Sequence, residues 1–144
     1  MPQLSGRATF AAAPGGEGVK GAALLWVGLG GGIGSMLRFG IAQAVQRVAG
    51  GAFPVGTLAV NVLGCLAIGF VVGRFDAAGE MASQAKAFWV VGLFGGFTTF
   101  SAFGLDTVGF LREQQYGSAV ANVLLQLLLG LLAVAVGFWL ARAL

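Results

Sequence analysis

The sequence predicts an all-α membrane protein whose chain crosses the bilayer four times. Two observations carry this prediction. Of 144 residues, 58% are hydrophobic and only 9% are charged, against about 25% charged in an ordinary soluble domain. The apolar residues also gather into four runs of about 20, the length at which a helix crosses about 30 Å of hydrocarbon. So few charges could not coat a soluble protein of this size, and the natural solvent for most of the chain is lipid.

The elements follow in order. Residues 1–20, rich in Gly, Ala and Pro, hold no sustained apolar run. They read as a disordered tail, and "TFAAA" is too short for the apolar region of a signal peptide. Residues 21–144 form the membrane domain. The first helix is expected over 22–47 and ends at "QRVAGGAFP"; the second, over 53–74, ends at "GRFDAAGEMASQAK". The third is expected over 84–111 with a break near 95–99, and the fourth over 117–142, after "LREQQYGS". Four crossings with short connections put both termini on one side.

Glycine is frequent, with 26 residues, and Gly28 and Gly32, Gly30 and Gly34, Gly69 and Gly73, and Gly92 and Gly96 are spaced four apart. In lipid such spacing lets helix backbones approach closely. There is no histidine and a single cysteine, which excludes a disulfide framework or a His/Cys metal site within one chain. Cys65 lies in an apolar run and reads as a packed small residue. The basic residues are scattered, so no nucleic-acid footprint is present. One side of the membrane would carry Arg7, Lys20, Arg74, Lys86 and Arg142, the other Arg47 and Arg112 with Arg38 near it. Without the tail this bias is nearly nil, and it gives little direction to insertion.

Polar residues inside apolar spans are costly unless partnered, so they carry the information. Thr57, Asn61 and Gly64 share one face of the second helix. Spacing alone leaves two readings of Asn61 open: an interhelical hydrogen bond, or an amide N–H offered to an anion. Ser118, Asn122, Gln126 and Gly130 form a second stripe on the fourth helix, as a pore wall or as a polar helix interface. Arg38 either snorkels to the interface or funnels anions toward a pore mouth. Asp106 is expected to flank the end of the third span.

The third helix contains "GGFTTFSAFG", residues 95–104. Gly95 and Gly96 weaken a helix, and Thr98, Thr99 and Ser101 offer the backbone other hydrogen bonds. A helix broken in a membrane exposes carbonyls, tolerated only where they are buried in protein or serve an ion. Such oxygens suit Na⁺ or K⁺. Phe97, Phe100 and Phe103 recur every three residues, along one side. They either pack or present their partly positive edges to a small anion.

These residues resemble a known family. "GGFTTFSAF" is similar to the third-helix signature GGxTTFSTF of the Fluc/CrcB fluoride channels, "GTLAVNVLG" to that family's GTLxVNxxG, and "GGGIGSMLR" to its GGxxGAxxR. The three motifs stand in the right order and cover most of the membrane part. The resemblance implies an antiparallel, dual-topology homodimer with two fluoride pores lined by both subunits. It implies passive fluoride export across a bacterial plasma membrane. It places Thr57 and Asn61 on the pore side, makes Phe100 and Phe103 the paired rings that meet fluoride by their edges, sets Ser101 between them, and puts Arg38 at the vestibule. It also implies a structural Na⁺ at the dimer centre, held by the carbonyl oxygens of Gly95 and Thr98 from both subunits. Two departures stand out. Ala102 occupies a usual Thr, and Asn122, Gln126 and Gly130 replace a Tyr–Ser–Ser track on the fourth helix. The pore stripe keeps its geometry and changes its chemistry.

Three rival readings are weaker. A small multidrug exporter, also a four-helix dual-topology dimer, needs a membrane carboxylate, and the first, second and fourth spans hold none. A purely structural subunit would not need a broken third helix. An enzyme would need a nucleophile–base pair, and no histidine is available.

Overall fold

The computed structural model describes residues 21–79 and 81–144, so the expected tail lies outside the described residues. All regular structure among them is helical. Helix α1 spans Gly21–Ala49 and α2 spans Val55–Ala78. The third span, Ser83–Arg112, consists of α3 (Ser83–Lys86), a π-helical stretch Ala87–Phe94, α4 (Gly95–Phe97) and α5 (Phe100–Arg112). Helix α6 spans Tyr116–Ala143. Four of these spans are long and apolar enough to cross a membrane. The chain is a multi-pass membrane protein.

The turn from α1 to α2 shows how local sequence ends a span. Gly50 and Gly51 take φ of +64° and +74°, the left-handed region that glycine enters without strain. Gln46 then braces the turn: its Nε2 donates to Gly51 O (3.2 Å) and Phe53 O (3.0 Å), and its Oε1 accepts from Gly56 N–H (3.0 Å).

Glycines set the packing. A Cβ on Gly30 would overlap the Phe88 carbonyl oxygen and one on Gly34 that of Leu93, so α1 lies backbone to backbone against the third span. Gly69 and Gly137 do the same between α2 and α6, against the carbonyls of Val134 and Leu66. Gly28 and Gly32 differ from this pattern and meet nothing within 4 Å. The spacing is the same, but that face of α1 turns away from the other helices.

The third span changes partner along its length. Its first part, through Phe97, packs on α1, whereas α5 packs on α6 and α2. The change falls at Thr98 and Thr99, whose backbones are extended (φ −85°, ψ 158° and φ −147°, ψ 113°). Gly95 and Gly96, expected to weaken the helix, remain helical. A Cβ on Gly96 would strike the Gly31 backbone, so its role is close approach.

Candidate functional site

Asn61 organises the region where α4 gives way to α5. Its Oδ1 accepts from Thr99 N–H (2.7 Å) and its Nδ2 donates back to Thr99 O (3.1 Å), so one side chain closes both ends of an extended residue. Its second amide hydrogen goes to Gln126 Oε1 on α6 (2.9 Å). Gly64 makes this reach possible. A Cβ there would overlap the Thr98 methyl and crowd the Phe97 ring at 3.0 Å. The face shared by Thr57, Asn61 and Gly64 thus meets the interruption. The interhelical hydrogen bond, one of the two readings of Asn61, is formed.

The hydrogen bonds around the interruption can be followed one by one. In a continuous helix Thr99 N–H would bond to Gly95 O, and Ala102 N–H to Thr98 O. Here Thr99 N–H goes to Asn61, and Ala102 N–H goes to Thr99 Oγ1 (3.2 Å), which caps α5. Gly96 O is approached by Ser35 Oγ at 3.4 Å. Gly95 O and Thr98 O have both lost their helical donors to side chains. Gly95 lies on the exposed surface of the single chain.

Most of the predicted site residues line two cavities that share Thr99; Gly95, Ser101 and Asn122 line neither. The smaller, about 240 Å³, is lined by Asn61, Thr98, Thr99, Phe100, Phe103 and Gln126, among others. The larger, about 410 Å³, brings Arg38 together with Gln43, Gln46, Thr57 and Thr99. Ser101 is exposed, and its hydroxyl lies 3.2 Å from Thr99 Oγ1. Phe100 and Phe103 meet edge to face, with centroids 5.2 Å apart and planes at 62°. Phe97 does not join them. It lines a separate apolar cavity with Leu37, Ile41 and Phe94, because the extended residues between Phe97 and Phe100 break the helical spacing. The expectation that all three rings share one side is therefore corrected.

The fourth-helix stripe faces inward. Asn122 is fully buried and donates to Thr107 Oγ1 (2.9 Å), while Thr107 donates to Phe103 O (2.8 Å). Gly130 is also buried, and a Cβ there would contact Cys65 Sγ at 3.6 Å. Asp106 departs from the expected span end. Helix α5 continues past it to Arg112, and Asp106 Oδ2 accepts from Thr57 Oγ1 (3.1 Å). Sequence reasoning missed Thr107 and the Asp106–Thr57 pair, although the interval from Phe103 to Thr107 is a helical turn with a hydroxyl at its end.

A sequence profile described as "CrcB-like protein, Camphor Resistance (CrcB)" matches residues 25–138. The chain belongs to the CrcB family. Its relatives include a protein named "Fluoride-specific ion channel FluC" from Helicobacter pylori (strain HPAG1), 44% identical over 120 residues, covering 82% of this chain and 92% of the relative. A protein of the same name from Parabacteroides distasonis is 46% identical over 114 residues, covering 79% and 88%. One from Helicobacter acinonychis is 41% identical over 120 residues, covering 82% and 94%. The CrcB match runs from the second turn of α1 to near the end of α6. It takes in both cavities and every predicted site residue, and it sets aside the multidrug exporter alternative.

Proposed function

We propose that this CrcB-family chain is a fluoride-specific ion channel that lets fluoride leave the cell passively. The observation that carries this reading is its similarity to channels of that name along nearly their whole length. The site is consistent with it. A fluoride ion leaving water needs fixed N–H or O–H donors and weakly positive ring edges in place of its hydration shell. The smaller cavity gathers two amides, hydroxyls and the Phe100 and Phe103 rings beside an interrupted helix. Arg38 gives the neighbouring cavity a positive charge that favours anions.

The working unit in this reading is an antiparallel, dual-topology homodimer. Phe100 is 79% exposed in the single chain, which leaves its ring free to line a path shared with a second copy. Gly95 O and Thr98 O fit a structural Na⁺. Both have lost their helical donors, and an unpaired carbonyl in lipid costs several kcal/mol. A monovalent cation held by these oxygens from both subunits would satisfy them and stabilise only the assembled dimer.

Liposomes loaded with fluoride or with chloride test the channel. Fluoride should be released without drug or proton coupling, and chloride retained. Equal release of both, or none of either, refutes the reading. Exchange of all Na⁺ for a large organic cation should weaken the dimer or silence the flux. Undiminished activity and dimer stability after exhaustive Na⁺ removal would remove the ion from the account.

A further inference from the structure

Two buried polar atoms in the site have no hydrogen-bond partner among the described residues: Gln126 Nε2 and Asn122 Oδ1. They stand one turn apart on α6. Which end of each amide is left over follows from the neighbours.

Thr99 offers one N–H and one C=O, and this pair fixes Asn61 with Oδ1 toward the donor and Nδ2 toward the acceptor. Asn61 can then present only an N–H to α6, so Gln126 must meet it with Oε1. The Nε2 of Gln126 is thereby turned away from Asn61. Thr107 gives its single hydrogen to Phe103 O, so it can only accept from Asn122. That leaves Asn122 with an oxygen over, which repels an anion. Both amide hydrogens of Asn61 are engaged. Asn122 Nδ2 also donates to Phe103 O at 3.5 Å, so of the three amides only Gln126 holds N–H groups in reserve, and Gln126 lines the cavity that Phe100 and Phe103 share.

We infer that Gln126 Nε2 is the amide donor that meets the permeating anion in this chain, while Asn61 is spent on holding the Thr99 backbone. The inference rests on the fluoride reading above and names the residue that serves it.

The test uses the purified full-length protein in liposomes, with fluoride release read by an electrode. Wild type is measured first. If it releases no fluoride, the channel reading fails, and the failure is distinct from that of this inference. Gln126→Glu keeps an acceptor for Asn61 and places an oxygen where Nε2 was. Gln126→Met keeps the length and removes both polar ends. Gel filtration shows whether each variant assembles as wild type does. Both assembled variants should release fluoride at least about tenfold more slowly at neutral pH. Release from protein-free vesicles is subtracted throughout. Wild-type flux at neutral pH from either assembled variant overturns the inference.

Discussion

Phe100 and Phe103 stand edge to face in the cavity that holds the Asn61 and Gln126 amides. A phenyl edge carries partial positive charge and has no proton to lose, so it can face fluoride without reacting with it. Isoleucine keeps much of the bulk and removes the quadrupole. Phe100→Ile and Phe103→Ile should therefore each cut fluoride flux at least about tenfold while the protein still elutes as an intact assembly. Phe97→Ile should spare conduction, because that ring belongs to the apolar cavity beside Leu37 and Ile41. Efflux assays on the three variants side by side check this, and wild-type flux from both pore variants would remove the rings from the mechanism.

At the scale of elements, glycines decide how near the spans lie, and the interruption decides which helix the third span touches. Gly34 lies so close to the third span that a Cβ would overlap the Leu93 carbonyl oxygen. Relief requires α1 to move, at a cost of about 1–3 kcal/mol. Gly109 on α5 meets nothing within 4 Å. Alanine there removes backbone freedom from the unfolded chain and should be neutral or stabilise by about 0.5–1 kcal/mol. Thermal unfolding in detergent should rank Gly34→Ala below wild type and Gly109→Ala level with it or above. The reverse order would mean that this contact does not limit the approach of the helices.

At the scale of the whole molecule, the basic charges at the two ends nearly balance among the described residues. Arg74, Lys86 and Arg142 lie at the end where α1 begins, and Arg47 and Arg112 lie at the other with Arg38 near them. Such a chain has little electrostatic reason to insert one way. The aromatic residues are less even. Trp26, Trp89 and Trp139 are all exposed near the end that carries the start of α1. Tryptophan favours the membrane–water interface, and insertion in both directions would give each leaflet the same belt. Reporters fused to the C-terminus, each active on only one side of the membrane, should detect both orientations. A population inserted one way would defeat the dual-topology reading.

The number of spans, their lengths and their lipid solvent are determined by the sequence alone, because they depend on runs of apolar residues and on where charges and turn formers interrupt them. Residues 95–104 could also be recognised as special, since glycines and hydroxyls are poor choices for a continuous helix in lipid. Only the tertiary structure decided where the helix opens. Gly95 and Gly96 stay helical against α1, and Thr98 and Thr99 unwind, because Asn61 on another helix supplies the hydrogen bonds that an extended Thr99 needs. Spacing of three could not foresee that Phe97 parts from Phe100, since helical periodicity holds only while the helix continues. Nor could spacing foresee that Asn61 binds the Thr99 backbone. That contact depends on a carbonyl and an N–H 38 residues away, and a long-range hydrogen bond leaves no periodic trace in the chain that forms it.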